Sequence, residues 1–387
     1  MKVFVIAGEA SGDRLGAALM AGLKSLTEVE FAGVGGDQMQ AEGFTSLFPM
    51  EELSVMGLVE ILPKYFPLKR RIRETAQAAI DYAPDVVIGI DSPDFCLRVA
   101  KIIKDRSDLR TVHYVAPSVW AWRPKRAVRM AQVIDQVLAL LPFEPPYLEA
   151  AGVDCDFVGH PVVNDEPASE AEIAEFRADH GLGDAPVLLV LPGSRGSEVA
   201  RLGPIFGEAV REVCAERPDL RLVIPTVTTR AQQVTDLVAD WPGTPVVVAS
   251  TGQSDRDKRT KAAAFGAAQG ALAASGTVSL ELAAADTPMV IAYDTNWITR
   301  EIIRRMLIID TLTLVNLVSE TRAIPEFNGE RCRADLIAPG VLDMLDNPGT
   351  QRDAMRLTME RLGRGGEDPG LRAARAVLDR MPKASCL

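Results

Sequence analysis

Several short stretches of this sequence carry more reactive side chains than a connecting loop requires. The first is Gly8-Glu9-Ala10-Ser11-Gly12-Asp13, directly after the apolar run Val3 to Ala7. Its glycines let the backbone turn tightly and approach a ligand, and Ser11 or Asp13 could cap a following helix. A plain turn has no use for Glu9 and Ser11 as well. The loop lacks both the GxGxxG spacing of a dinucleotide fingerprint and the GK[ST] of a P-loop, which argues against NAD or ATP here. In Gly89-Ile90-Asp91-Ser92-Pro93-Asp94-Phe95, Asp91 ends an apolar run, where a carboxylate can take a proton from a substrate hydroxyl. Asp94 suits the cap of the next helix.

The stretch from His113 to Arg126 holds two of the four tryptophans, with three cations close by. Trp120 and Trp122 offer flat apolar faces, and Arg123, Lys125 and Arg126 offer anion contacts. Core aromatics followed by a solvated basic turn would read the same way. His113, inside a strand pattern, reads as a satisfied core histidine. Further on, Gly193-Ser194-Arg195-Gly196 leads from an apolar run into a helical pattern. Backbone N–H groups at a helix N-terminus bind phosphate, and Arg195 adds fixed positive charge. Ser275-Gly276-Thr277 repeats that arrangement. Glu281, one turn later, could accept both hydroxyls of a ribose. Two phosphate-type loops in one half and a carboxylate base in the other fit a nucleotide-sugar transferase of the two-domain GT-B type. About two DxD-like pairs are expected by chance in so acidic a chain, so Asp154/Asp156 and Asp255/Asp257 carry little weight and support neither a metal nor another cofactor.

These loops need elements to position them. Strands are expected at Val3–Ala7, Val29–Val34, Val86–Ile90, Thr111–Val115, Val137–Leu141 and Phe157–Gly159. After a polar stretch from Asn164 to Asp184, a second series is expected at Val187–Leu191, Leu222–Pro225, Val246–Ala249, Ala271–Ala274 and Met289–Ala292. Alternation with helical segments gives βαβ units and parallel sheets, whose ligands gather at the carboxyl ends of the strands. The fold class is α/β, with two Rossmann-like doubly wound domains over residues 1–163 and 164–369. Gly363 to Gly370 reads as a hinge or turn. A last helix, within about 370–387, could pack back on the first domain.

The bulk numbers agree with that plan. A chain of 387 residues is too long for one ordinary core, and a net charge of −11 argues against a nucleic-acid binder. Five scattered cysteines without a CxxC pair fit a reducing cytoplasm, and three histidines make a histidine-rich metal centre unexpected. Neither a signal peptide nor a membrane span is seen.

The ordered strings GEASGD, VMGLVEIL, GIDSPDF, YVAPSVWAWR, LPFE, GHP, LPGSRGSEV, ASGT and LVNLV, from about Val3 to Glu326, resemble the lipid-A-disaccharide synthases. The resemblance implies glycosyltransferase family 19 and two GT-B domains facing a central cleft. It also implies inverting transfer of diacylglucosamine from UDP-diacylglucosamine to diacylglucosamine 1-phosphate, giving a β-1,6 disaccharide 1-phosphate and UDP. On the matching motifs, Glu9 and Ser11 fall at the active-site cleft, Asp91 at the general base, and Arg195 and Asn316 at positions tied to activity and nucleotide binding. Glu281 resembles the ribose-binding acid of GT-B enzymes. The sequence departs from the family pattern at Asn164 and at Asn328-Gly329.

Acylated substrates imply a membrane surface. The stretch Val55 to Arg73 sets Val55, Leu58, Val59, Ile61 and Leu62 beside Lys69, Arg70 and Arg71, which suits an interfacial element on anionic lipid; a buried helix with a solvated basic turn is the other reading. The expected location is cytoplasmic, peripheral on the inner membrane. The resemblance also raises a homodimer exchanging C-terminal segments. Other GT-B envelope enzymes are the rivals: a GlcNAc transferase acting on an undecaprenyl-linked acceptor, or a UDP-GlcNAc 2-epimerase.

Overall fold

A computed structural model describes residues 1–53, 58–122, 124–251 and 254–382, with side chains at 58–65, 254, 298, 302 and 303 outside the described set. The expectations for Val55, for Arg123 and for the side chains of Leu58, Val59, Ile61 and Leu62 therefore lie outside the described residues. The described strands form two parallel six-stranded sheets in separate units. One unit comprises Met1–Pro161 and the segment from Gly365 onward; the other comprises Val162–Arg364. No described helix is long and apolar enough to cross a membrane.

The first sheet contains β1 (Lys2–Ala7), β2 (Glu30–Val34), β3 (Val86–Ile90), β4 (Arg110–Tyr114), β5 (Gln136–Ala139) and β6 (Asp154–Phe157), in the order β2-β1-β3-β4-β5-β6. Its central strands β1 and β3 are almost continuously apolar because helices cover both faces. Val3, Val5, Ile88 and Tyr114 face Leu15, Leu19 and Leu23 of the helix Ala10–Leu26, and Ala373 and Val377 of the helix Pro369–Asp379. On the other face, Phe4, Ile6 and Val87 pack with Ile72 and Ala76 of Leu58–Tyr82, and with Phe95 and Val99 of Pro93–Lys104. Each fully buried aliphatic side chain is worth about 1.5–3 kcal/mol.

The returning helix Pro369–Asp379 is capped by Asp368, which accepts from Leu371 N at 3.1 Å. It crosses Ala10–Leu26 at Gly22 and Gly370, where a Cβ on Gly22 would stand 2.7 Å from the Gly370 carbonyl oxygen. Beyond it, Arg380 bridges Asp154 at 2.8 Å and Asp156 at 2.7 Å. That contact explains a misplaced strand. The sequence suggested Phe157–Gly159, but β6 starts earlier, at Asp154. It is an edge strand with Cys155 buried, and its two aspartates meet Arg380 rather than an apolar layer, so it lacks an apolar run.

The second sheet contains β7 (Val187–Leu191), β8 (Arg221–Thr226), β9 (Val246–Ala249), β10 (Gly270–Ala274), β11 (Met289–Tyr293) and β12 (Glu326–Asn328), in the order β12-β11-β10-β7-β8-β9. Leu188, Val190 and Leu272 pack with Val199, Leu202 and Phe206 of the helix Gly196–Glu216, and with Ile337 and Val341 of Ala334–Asp346. The polar stretch 164–184 is not mere linker. It holds the helix Glu170–Asp179, started by a reciprocal cap between Ser169 and Glu172. The strand β12 went unexpected because three residues are too few to display a period.

Each sheet reverses its strand order beside its first strand: β1 lies between β2 and β3, and β7 between β8 and β10. Such switch points open a crevice at the carboxyl ends of the strands, where ligands bind in open α/β sheets.

Candidate active site

In the first unit the switch point brings together two of the stretches singled out from sequence. Ala7 of β1 is in register with Ile90 of β3, so the Gly8–Ser11 and Asp91–Ser92 loops emerge side by side. They touch: a Cβ on Gly8 would stand 2.5 Å from Ser92 Oγ. Asp91 and Ser92 both take left-handed backbone conformations, with φ of 52° and 41°. Strained non-glycine residues of this kind cluster at functional sites. The Asp91 N–H donates to the Tyr114 carbonyl at 2.8 Å, which pins the turn, and Asp91 is half-buried. Glu9 is the N-cap residue of Ala10–Leu26 and half-buried, and Ser11 sits exposed in its first turn.

Asp13 does not cap its own helix. Its buried carboxylate accepts from Gly36 N, Gln38 N and Met39 N at 2.8–3.0 Å, capping the short helix Asp37–Ala41. Asp94 leaves the N-cap position to Ser92 and pairs with Arg126 at 3.3 Å. Trp120 is buried, not a stacking surface: its indole N–H donates to Glu144, and Phe143 packs edge-on against it. His113 is fully buried as expected, yet neither ring nitrogen has a hydrogen-bond partner among the described residues. Burial pushes its pKa down to about 4.

In the second unit the loops after β7 and β10 are again neighbours, because Leu191 pairs with Ala273. Gly193, Ser194, Arg195, Ser275, Gly276, Thr277 and Glu281 all line one pocket of about 1110 Å³. Arg195, at the N-cap of Gly196–Glu216, pairs with Glu198 at 2.9 Å. Glu198 also accepts from Ser194 N and Arg195 N, both at 3.2 Å. Glu281 receives Lys261 Nζ at 2.6 Å. The helix opened by Ser275-Gly276-Thr277 is only seven residues long, so its dipole adds little and its loop amides matter more. Among the described residues, no group of three or more His, Cys, Asp or Glu could hold a metal ion.

The family model for lipid-A-disaccharide synthetase matches residues 3–368. The chain is 64% identical to the lipid-A-disaccharide synthase of Ruegeria pomeroyi, over 99% of this chain and 96% of that one. It is 45% identical to that of Rhodospirillum centenum, over 98% and 95%. This chain belongs to the lipid-A-disaccharide synthase family. As a member, it is a glycosyltransferase of lipid A disaccharide synthesis. Solved structures agree on the fold. The UDP-GlcNAc 2-epimerase of Neisseria meningitidis bound to UDP-GlcNAc superposes with a TM-score of 0.64, at 12% identity over 98% of this chain and 99% of that one. A UDP co-structure of S. aureus MnaA gives 0.66 at 14% identity, over 97% and 94%. At such identities the likeness speaks for a GT-B-type fold alone, and the epimerase alternative is not favoured.

Within this lipid-A-disaccharide synthase family member, Asn316 does not line the pocket of the second unit. It is 1% exposed, accepts from Ile324 N at 3.0 Å, and donates to Ile324 O and Glu326 Oε1, both at 2.9 Å. Glu326 in turn gathers Thr311 Oγ1, Leu312 N, Thr313 N and Asn328 Nδ2. Asn316 is thus placed to hold the 311–313 loop.

On the helix Leu58–Tyr82, Phe66, Lys69, Arg70, Arg73 and Gln77 follow helical spacing and line a cavity of about 780 Å³ with Glu74, Ile102 and Arg106. Phe66 is 78% exposed. Arg71, grouped with these cations from sequence, lies outside that stripe. Its guanidinium binds Glu52 and Glu74 and stacks 4.2 Å from the Phe48 ring centroid, so it braces the fold.

Sequence reasoning gave no role to Glu144, Glu198, Lys261 or Glu326. Glu144 ends the LPFE string and Glu198 lies one turn after Arg195, so both had a weak signal. Lys261 sits in a run of alternating charges that hides it.

Proposed function

We propose that the chain transfers diacylglucosamine from UDP-2,3-diacylglucosamine to the 6-hydroxyl of 2,3-diacylglucosamine 1-phosphate, with inversion. The unit Val162–Arg364 takes the donor nucleotide and the unit holding Asp91 takes the acceptor. The observation that carries this reading is the pocket in which Arg195, Ser275-Gly276-Thr277 and Glu281 converge at a switch point, in a chain of this family.

Asp91 accepts the acceptor hydroxyl proton as that oxygen bonds to the anomeric carbon. The bond from the anomeric carbon to the UDP oxygen breaks, and UDP leaves with the electron pair. Arg195 and the 193–195 loop amides stabilise the charge that develops there. Glu281 holds the ribose hydroxyls and Lys261 fixes its carboxylate. General-base assistance of this kind is worth about 10²–10⁴ in rate. Glu9 and Ser11 supply polar contacts to the acceptor sugar beside Asp91.

The stripe Phe66, Lys69, Arg70 and Arg73 is the side that meets an anionic lipid surface, exposing an apolar ring among cations. Replacing the three cations with Gln should weaken sedimentation with phosphatidylglycerol vesicles; unchanged sedimentation removes this assignment.

The purified protein, incubated in detergent with both sugar lipids and EDTA, should yield a tetraacyl disaccharide 1-phosphate and UDP by mass spectrometry. No product with or without added Mg²⁺, alongside intact UDP binding, would exclude these substrates.

A further inference from the structure

The loop assigned above to the diphosphate already holds an anion. Glu198 Oε2 lies 3.2 Å from Ser194 N and 3.2 Å from Arg195 N, and Oε1 lies 2.9 Å from Arg195 Nη1. Two amides and a guanidinium thus converge on one carboxylate from the first turn of the same helix. The fit is close. Gly193 has a φ of 114°, and a Cβ there would stand 2.6 Å from both Glu198 Cβ and Oε2. The Glu198 side chain is only 14% exposed, while that of Arg195 is 63% exposed.

Carboxylates and phosphates use the same donors in the same geometry. They cannot use them together, since two anions sharing one set of N–H groups repel at short range. A phosphate that reaches Ser194 N, Arg195 N and the guanidinium must therefore expel the carboxylate.

We propose that Glu198 is a resident stand-in for the diphosphate: it fills the 193–195 loop in the free protein, and UDP enters by exchanging with it. This rests on the reading of that loop as the diphosphate site. Without a ligand, the carboxylate neutralises Arg195 and keeps the loop amides converged. After transfer, its return competes with bound UDP and favours product release. Its cost is a weaker hold on UDP than an empty cradle would give.

The sign of one affinity change decides. UDP is titrated calorimetrically into the full-length wild type, Glu198→Gln and Glu198→Asp, with thermal melts confirming that each is folded. Gln keeps the size and loses the charge; Asp keeps the charge but falls one methylene short of the amides. The Gln variant should bind UDP about three- to tenfold more tightly, more so at low salt. The Asp variant should also bind more tightly than wild type. Uridine, lacking phosphates, should bind all three alike. Unchanged or weaker UDP binding by both variants overturns the exchange and makes Glu198 a fixed brace for Arg195, leaving the nucleotide site standing. Failure of the wild type to bind UDP overturns the site and the exchange together.

Discussion

The indole N–H of Trp120 donates to Glu144 Oε1 at 3.0 Å, and both side chains are buried. The second carboxylate oxygen accepts from Leu141 N at 3.0 Å. The pair therefore ties the loop after β4 to the loop after β5, on the edge of the sheet where ligands gather. Burial pushes the Glu144 carboxyl up to about 7, with the N–H donors of Leu141, Trp120 and Leu140 pulling partly the other way.

A raised carboxyl pKa means that the folded state holds a proton the unfolded state has already lost. Glu144 should therefore make stability fall as pH rises from about 4.3, the unfolded value, to about 7. Buried His113 acts in the opposite sense between about 4 and 6.5, since its folded pKa is lowered. Comparing Glu144→Gln with the wild type isolates the first effect. The stability of the variant relative to wild type should improve with pH by up to about 1.4 kcal/mol per unit across that window. Urea unfolding at pH 5, 6 and 7 reads it; a constant difference would mean that Glu144 is ionised throughout.

Asp91→Asn should lower kcat by about 10²–10⁴ while changing the KM of either substrate little. Asn is the right replacement because Asp91 sits at φ 52°, a region that Asn tolerates and most other residues resist. The melting temperature should match the wild type. Retained turnover would remove Asp91 as the base.

Gly8→Ala should cost at least about tenfold in activity, because the new Cβ would lie 2.5 Å from Ser92 Oγ and 2.9 Å from Ser92 Cβ. Adding Ser92→Gly deletes both clashing atoms, and glycine accepts the left-handed conformation at that position. The double variant should recover much of the lost rate. No recovery would show that the two loops are not mechanically coupled.

Asn316→Ala should reduce stability and activity together. It strips partners from Ile324 N, Ile324 O and Glu326, at a cost of about 2–4 kcal/mol. Arg195→Ala should reduce activity alone, since Arg195 is exposed and its side chain, among the described residues, is bound to Glu198 one turn along its own helix. Paired thermal melts and initial rates separate the two. An Asn316→Ala protein with wild-type stability would return that side chain to direct ligand contact.

Much of this was legible in sequence because parallel strands buried on both faces are written as plain apolar runs. Val86–Ile90 and Val187–Leu191, buried throughout, were expected with these very ends, and so was Val246–Ala249, an apolar edge strand that is only half-buried. The glycine-, serine- and acid-rich loops that follow β1, β3, β7 and β10 stood out for the same reason, since they interrupt those runs with groups a turn does not need. Direction was the missing quantity. Nothing in the spacing tells whether Trp120 turns toward ligand or toward Glu144, whether Arg71 turns toward lipid or toward Glu52, or that Glu198 bends back over its own loop. Asp13 was read as a local cap because sequence distance conceals the helix at Asp37 that it serves. Edge strands such as Asp154–Phe157 and Glu326–Asn328 are short and half polar, so pairing defines them more than composition does.

The return of the helix Pro369–Asp379 to the first sheet has a consequence for the order of synthesis. A ribosome makes residues 1–161 first, yet the apolar cluster that Val3, Val5, Leu19 and Tyr114 share is not completed until Ala373 and Val377 arrive. Residues 162–364 form a unit that is continuous in sequence, so it can close without any segment made later. The unit begun first is thus finished last, and the nascent chain carries an unsealed apolar face through the translation of about two hundred intervening codons, which is the interval in which a chaperone would have something to hold.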